Sequence, residues 1–364
     1  MKTAKALPMT MAFLTAFATW TPANASEDFQ LRYNLAGSLG GELFAPMGQT
    51  GWAGGLAATY MDINKVTGND GNSLTRSVPG GTVPLPNLPQ ALYPTYGDST
   101  AQISGTGSMK QLNLGLAYVT KERFADGRFA FLLNLPFAKK IQNFDASGIA
   151  PALTWNPVVP APVRAMVATG FSTQYAAGLQ KQADDASGQV SGIGDTELQA
   201  GWLYVRDRMR VLAGASIVLP TGKYSPSSGP DIGYGNYYTF RPAFQATYLL
   251  TPEVAISGKV TWAVNTRNRD NQLRSGNWAG VELAAGYKTP LGVLGIHGLR
   301  VQQYQDDSNN PWGNSRLRST NAGIFFTTKL EAINAAITAQ YMATTMSRNS
   351  KHGDFSQLRM IKFF

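Results

Sequence analysis

Alternating apolar and polar residues are the feature that most constrains the fold of this chain. Residues 253–265 show the pattern best, because every second residue from 254 to 264 is apolar or glycine, while Ser257, Lys259, Thr261 and Asn265 stand among the positions between them. A period of two places these sets on opposite faces of a strand, whereas a helix needs a period of 3.6. The same alternation recurs at residues 110–120, 128–137 and 333–341. The sequence therefore predicts strands with one apolar and one polar face.

A membrane-spanning helix is not predicted. After Trp20 there is no run of 18 or more uncharged apolar residues. The chain contains no cysteine, which excludes disulfides, thiolate metal sites and a cysteine nucleophile.

The last residues of the chain, 354–364, read DFSQLRMIKFF and end on an aromatic residue, as the closing strand of an outer-membrane barrel does.

The connections between the candidate strands alternate in length. Very short turns are predicted at residues 206–208, 250–253, 289–292 and 330–332, and longer loops at 221–236, 267–276, 305–319 and 347–353. This alternation is typical of outer-membrane barrels, which have tight periplasmic turns and long extracellular loops. We expect an all-β, antiparallel, up-and-down transmembrane barrel. Fourteen strands would result if residues 171–180 formed an extra hairpin; we prefer twelve, with 171–180 in a large external excursion.

The predicted strands have about the length that a tilted strand needs to cross a bilayer. They are residues 51–63, 109–120, 128–137, 196–205, 209–219, 238–249, 254–265, 278–288, 294–303, 321–330, 333–342 and 355–364.

The first 48 residues precede the predicted barrel, which we place at residues 49–364. Residues 1–25 have the pattern of a secretory signal peptide: Lys2 and Lys5, an apolar core at 9–20, and the small-residue site Ala23-Asn24-Ala25. Export to the bacterial outer membrane is therefore expected. Residues 26–48 would form a plug in the lumen, with polar contacts from Arg32, Tyr33 and Glu42, or lie loose in the periplasm.

The chain is basic, with a formal net charge of +9. Removal of Lys2 and Lys5 with the signal peptide leaves +7. An exported protein rarely meets nucleic acid, so we expect no such partner; anionic lipid head groups or acidic solutes fit better, and solvated surface charge explains the balance equally well.

Three motifs carry a family resemblance: GIGDTELQAGW at residues 192–202, VLPTGKY at 218–224 and GNYYTFRPAFQATYLL at 235–250. With APMGQTGWAGGLAATYM at 45–61, they resemble the meta-pathway phenol-degradation family of outer-membrane barrels, which is distantly similar to the long-chain fatty acid and toluene transporters. The likeness covers about residues 45–364. It implies inward passage of small hydrophobic or aromatic compounds, which is an association inherited from the family and not chemistry visible in these residues.

Eight polar residues are predicted to face the lumen on the parity of their strands. Such residues could form a constriction that selects solutes, or could pair across neighbouring strands and stiffen the wall. They are Glu197, Gln199, Arg241, Gln245, Lys259, Glu282, Lys288 and Lys329.

Two proline-rich but apolar segments, residues 77–96 and 149–171, are unusual for exposed loops. They could form a capture surface for apolar cargo at the mouth of the barrel, or pack on lipid or on each other. The proposed walls of this surface are Leu85, Leu88, Trp155, Val158 and Val159. Aromatic residues expected at the two membrane interfaces are Trp52, Trp202, Tyr204, Tyr248, Trp262, Trp278 and Tyr287.

Catalysis is not expected. The two histidines, His297 in a predicted strand and His352 in a loop, leave little for a catalytic triad or a two-histidine metal site, and we predict no cofactor and no metal. The predicted function is facilitated diffusion of small hydrophobic or aromatic solutes through a monomeric barrel in outer-membrane lipid. The alternatives are a general diffusion porin without substrate preference, and an envelope barrel enzyme.

Overall fold

The structure is a computed structural model that describes residues 31–33, 39, 43–45, 48–85, 88–226, 229–310 and 315–364. The predicted signal peptide and Glu42 lie outside the described residues. Two compact units divide the chain. The loop unit comprises Thr75–Gln102 and Ala146–Gln182 among its described residues, and the barrel unit comprises the rest of the described chain.

Within the described residues, seventeen strands and one α-helix form in chain order. They are β1 (Gly51–Val66), β2 (Leu74–Val78), β3 (Gly81–Thr82), β4 (Thr95–Tyr96), β5 (Ser99–Val119), β6 (Gly127–Gly148), β7 (Leu153–Thr154), α1 (Ala161–Ala186), β8 (Gly188–Ile193), β9 (Glu197–Arg206), β10 (Met209–Val218), β11 (Thr239–Leu249), β12 (Val254–Asn265), β13 (Trp278–Thr289), β14 (Gly292–Gln303), β15 (Arg318–Leu330), β16 (Ala335–Arg348) and β17 (Lys351–Phe363).

Twelve of these strands close into an antiparallel barrel, which confirms the predicted fold. The ring runs β1, β5, β6 and then β9 to β17, and the last strand returns to the first, with Ala53 opposite Phe363. Closure leaves no unpaired edge within the ring, so each backbone polar group in the bilayer can be satisfied by a neighbouring strand. The aromatic C-terminal segment therefore closes the sheet, as the sequence predicts.

The wall has the polarity of a membrane barrel. In β12, Ile256, Trp262 and Val264 are exposed on the outer face, while Ser257 and Asn265 are buried on the inner face. The same parity continues around the ring: outward side chains such as Leu283, Ile296 and Ile324 are large, apolar and more than half exposed. The outer surface is therefore apolar and the inner surface polar, in the register that the alternation predicts.

The barrel has twelve strands and not fourteen, because two further strands of the sheet lie outside the closed ring. β2 pairs with β5 and β8 pairs with β6, so they extend the sheet without entering the ring. Residues 171–180, the segment proposed for an extra hairpin, lie within helix α1. The loop predicted at 347–353 is also wrong, because β16 and β17 are joined through Asn349 and Ser350 alone, with Asn349 at φ +46°.

The loop unit has its own small core. The strands β3, β4 and β7 form a three-stranded sheet, and α1 presents Val167, Phe171, Tyr175 and Leu179 at intervals of four residues. This spacing aligns one helix face, which packs against Val83, Leu85 and Ala101. Tyr175 also shares a 2.8 Å hydrogen bond with Ser99 Oγ. No helix among the described residues is long and apolar enough to cross a membrane.

Candidate functional site in the barrel lumen

A cavity of about 320 Å³ lies inside the barrel unit. Its floor is a row of polar residues directly opposite one another on three strands, Gln245, Lys259 and Glu282. The next inward-facing row holds small residues, which leave the space that the cavity occupies; in strand order they are Gly201, Gly214, Ala243, Thr261 and Gly280. Apolar side chains cover the other side, including Leu132, Leu212 and Leu299. The cavity is therefore amphipathic.

The structure brings six of the eight predicted lumen residues together around this cavity. They are Glu197, Gln199, Arg241, Gln245, Lys259 and Glu282. Lys288 and Lys329 do not line it. Both are exposed near the short-turn end of their strands, and Lys329 forms a 2.8 Å ion pair with Glu331. Their inward parity is not sufficient, because a residue at the last rung of a strand reaches the rim of the barrel.

Arg241 and Glu197 form a buried ion pair between β11 and β9, with both side chains at most 6% exposed. The Arg241 guanidinium also donates to Ser216 Oγ at 3.1 Å and to the carbonyl oxygen of Arg32 at 2.7 Å. Its donors are thus used in fixing the wall and in holding the segment that contains Arg32. The pair spans β10, which lies between β9 and β11, so it is not a pairing of neighbouring strands.

A second buried ion pair joins the N-terminal segment to the barrel. Arg32 contacts Asp195 at 2.8 Å, and the side chains are 1% and 4% exposed. The guanidinium donates to the carbonyl oxygens of Gly235, at 2.8 Å, and Tyr237, and lies 3.8 Å above the Tyr237 ring centroid. Asp195 in turn accepts hydrogen bonds from the backbone N–H groups of Gly222 and Tyr234, at 2.9 and 3.0 Å. Sequence reasoning missed Asp195, although it lies within the motif GIGDTELQAGW.

Apolar residues of the same segment pack on inward-facing wall residues at two places. Leu31 lies in a cluster with Trp278, Leu299, Val301 and Met342. Leu39 and Leu43, both at most 1% exposed, pack in another cluster; its wall residues are Ala255, Ala284, Val293 and Phe325. The described parts of residues 31–43 therefore lie within the barrel. Burial raises the pKa of Tyr33, so its phenol remains protonated and can donate a hydrogen bond.

Trp278, predicted at a membrane interface, instead lies inside the barrel. The other six lie on the outer face, including Trp52 and Tyr287, which are about half exposed. Trp278 is 1% exposed, lines the cavity and makes an edge-to-face contact with Tyr33 at 6.4 Å between ring centroids. It has the same parity as Glu282, so the register of β13 was the signal that could have placed it inside. Within the described residues, its indole N–H has no hydrogen-bond acceptor.

The five residues predicted as a capture surface do not form one exposed face. Leu85 and Val159 are buried, at 2% and 3% exposure. Leu88 and Trp155 pack against the core of the loop unit, and Val158 alone is exposed, at 76%. The two apolar segments pack on each other and on α1 because their side chains complete a core. Mutual packing, the alternative stated above, is the arrangement observed.

The histidines are not arranged for catalysis in the described structure. Neither ring nitrogen of His297 has a hydrogen-bond partner, and its ring lies edge-on to Phe325. His352 Nδ1 lies 2.9 Å from Ser347 Oγ, but no carboxylate is hydrogen-bonded to this histidine. The described residues also contain no group of three or more histidine or acidic side chains that could hold a metal ion.

A closed barrel with an apolar outer wall, a polar lumen and an internal segment defines the chain as an outer-membrane β-barrel. The family model described as "Putative MetA-pathway of phenol degradation" matches residues 91–360, and the chain belongs to this family. No curated protein matches the chain.

Three solved structures are similar to this chain at low sequence identity. An outer membrane channel from Pseudomonas putida F1 has a TM-score of 0.60 and 14% identity over 88% of this chain and 97% of that one. The β domain of the Bordetella autotransporter BrkA has a TM-score of 0.43 and 11% identity, covering 87% and 100%. For the toluene transporter of Pseudomonas putida, the values are 0.34 and 9%, covering 93% and 94%. At such identities the first of these likenesses shows a common fold.

Proposed function

We propose that this protein is a channel of the bacterial outer membrane that passes small hydrophobic or aromatic compounds by facilitated diffusion. The observation that carries the proposal is the amphipathic cavity in a barrel whose outer wall is apolar. A cavity lined mainly by apolar groups with a few polar ones is typical of small-molecule sites. Membership of a family described by phenol degradation supports an aromatic solute. A cleaved signal peptide at residues 1–25 and a monomeric state belong to the same proposal.

The N-terminal segment, residues 26–48, acts in this proposal as a plug that holds the resting channel closed. Two kinds of contact support it. The Arg32–Asp195 ion pair fixes the segment to the wall, and Leu31, Leu39 and Leu43 fill space between inward-facing side chains. Passage of a solute then requires the segment to move or to leave a path beside it. A static open pore would have no use for a buried ion pair between its wall and a segment in its lumen.

No enzymatic step is part of the proposed function. A hydrolase would need a nucleophile, a base and an orienting acid in contact. His297 and His352 lack such partners among the described residues, as given above. The loop unit has no assigned part in solute capture beyond the exposed Val158, because Leu85, Leu88 and Trp155 pack in its core and Val159 is buried.

Uptake by whole cells tests this function. Cells that produce the protein in their outer membrane should take up phenol and toluene faster than cells with an empty vector, because the lipopolysaccharide barrier is bypassed. Liposomes that contain the purified protein should not swell in an isotonic solution of arabinose, since the plug excludes bulk solutes. Swelling in arabinose together with unselective uptake would instead establish the general porin. Absence of any gain in aromatic uptake would contradict the proposal.

A further inference from the structure

Two lysines lie opposite each other on the outer wall of the barrel, on the neighbouring strands β5 and β6. A single register joins these strands, fixed at two places by a 2.9 Å backbone hydrogen bond and by a close backbone approach; the pairs are Thr120–Phe129 and Gly107–Gln142. Between those places the register sets Lys110 directly opposite Lys139. Both side chains are exposed and have the outward parity of their strands. Opposite residues of an antiparallel pair have Cβ atoms about 4.5–5.5 Å apart, so like charges there repel each other.

No described residue neutralises this lysine pair. Within the described part of the chain, neither Lys110 nor Lys139 forms an ion pair or a hydrogen bond. Asp62 lies one rung away on β1, where it is opposite Ser108, and makes no ion pair with Lys110. Its neighbour on β17 is a second carboxylate, Asp354. The two ammonium groups therefore need water or an anion from outside the chain.

The lysine pair lies near the long-loop edge of the apolar wall. Tyr118 is eight residues further along β5, toward the end that carries the short turns, and its ring contacts that of Trp52 at 5.0 Å between centroids. A strand rises about 3.3 Å per residue, and a tilt of about 40° leaves about 20 Å of height over this distance. The apolar band of an outer-membrane barrel is about 25 Å tall, with aromatic residues at both edges. Lys110 and Lys139 therefore lie at the level of the outer-leaflet head groups, where a charge costs less than at the midplane.

A shallow apolar groove of about 950 Å³ adjoins the two lysines on the outer wall. The small outward residues Ala58 and Ser356 create the depression, and the larger side chains around them include Leu112, Phe137 and Leu358, which are all exposed. A second groove of about 1060 Å³ lies on the wall from β10 to β16, and no lysine, arginine or carboxylate lines it. Either groove can receive an acyl chain. The first one combines such a groove with two cations.

We propose that this groove binds one molecule of lipid A, the phosphorylated glycolipid of the outer leaflet. A phosphate of the lipid accepts hydrogen bonds from Lys110 Nζ and Lys139 Nζ, and an acyl chain lies along the groove beside Leu112 and Leu358. Ammonium groups are donors only, and charge-assisted hydrogen bonds to phosphate are among the strong ones. The bound phosphate also removes the repulsion between the two lysines. This site serves the surrounding membrane, so it does not depend on which solute the barrel passes.

Native mass spectrometry of the purified full-length protein in detergent tests the site, with lipid A, phosphatidylglycerol and inorganic phosphate as probes. The unaltered protein should retain one lipid A. The double variant Lys110→Met/Lys139→Met should bind lipid A at least about tenfold more weakly, the size expected for loss of a hydrogen bond to a charged group. Urea titration in vesicles gives a second readout. Without lipid A the double variant should be at least as stable as the unaltered protein, because the repulsion is gone, whereas added lipid A should stabilise the unaltered protein alone.

A matched control separates this site from a general effect of positive charge on the outer wall. Arg300 is exposed on β14 with Val281 and Thr320 opposite it, so Arg300→Met removes a cation that faces no second one and should leave lipid A binding unchanged. Equal binding of lipid A by the unaltered protein and the double variant would overturn the site, as would an equal loss in Arg300→Met. Phosphatidylglycerol binding as tightly as lipid A, or displacement of lipid A by inorganic phosphate at the same concentration, would overturn the assignment to lipid A. Failure of the proposed function is a different result, in which no aromatic solute enters faster than in empty-vector cells.

Discussion

Replacement of Arg32 by alanine is expected to convert a nearly silent channel into one with a steady, ohmic current across planar bilayers. The guanidinium is buried and is bound to Asp195 and to the carbonyl oxygens of Gly235 and Tyr237. Its removal leaves Asp195 buried without a counter-charge. Breaking a buried pair from one side typically costs about 3–5 kcal/mol. Because this cost destabilises only the plugged state, the equilibrium constant for opening should rise by roughly two orders of magnitude or more.

Two further variants identify the cause of such a current. Arg32→Lys keeps the charge but cannot reproduce the forked contact, so its conductance should lie between those of the other two proteins. Combining Arg32→Ala with Asp195→Asn removes the uncompensated charge, so thermal stability should recover and the current should fall below that of Arg32→Ala alone. Single-channel recording of the purified proteins is the measurement. If folded Arg32→Ala protein were as silent as the unaltered chain, the plug would have to be held by other contacts.

Leu283→Arg should produce the largest loss of stability among outer-wall substitutions. Leu283 is at the middle of β13, is 62% exposed, and has Gly258 and Gly298 opposite it on the neighbouring strands. No adjacent side chain can therefore shield a charge at this position. Arginine at the bilayer midplane of a barrel wall costs about 2–4 kcal/mol. Urea titration of folding into phospholipid vesicles should show a decrease of that size in the free energy of unfolding.

The control for this prediction introduces the same residue on the inner face. Gln199 lines the cavity on the inward parity of β9, two residues from Glu197. Gln199→Arg places its charge in the polar lumen, and we expect a much smaller change in the free energy of unfolding. Equal losses at the two positions would mean that the outer face does not meet lipid.

The strands could be predicted from the sequence because lipid and lumen impose opposite polarity on successive residues. β12 was predicted at its observed bounds, and β10 and β11 differ by one residue at one end. Residue type misleads where it disagrees with the alternation along the strand. Trp278 is aromatic, so it was assigned to the membrane interface, although the parity of Glu282 places it inside. β5 and β6 are also much longer than expected, at 21 and 22 residues.

The sequence did not predict helix α1 because prolines stand near its start, and it did not predict the Arg32–Asp195 ion pair because the two residues are far apart in the chain. Prolines at 157, 160 and 162 mark the start of the helix as a loop, yet the apolar spacing of four from Val163 to Leu179 was available as a helical signal. In contrast, Arg32 and Asp195 are 163 residues apart. Nothing local couples them, because they meet only when the closed ring brings the internal segment beside β9.

Spin labels attached to single cysteines along β12 test the central claim most directly, since the native chain contains no cysteine to remove. Each residue from 254 to 265 would be labelled in turn in reconstituted membranes, and collision rates with oxygen and with a water-soluble nickel complex measured. The account predicts a period of two, with oxygen favoured at Ile256, Val260 and Val264 and nickel favoured at Lys259. A period near 3.6, or oxygen favoured at Lys259 and nickel at Val260, would contradict a ring of strands that is apolar outside and polar within.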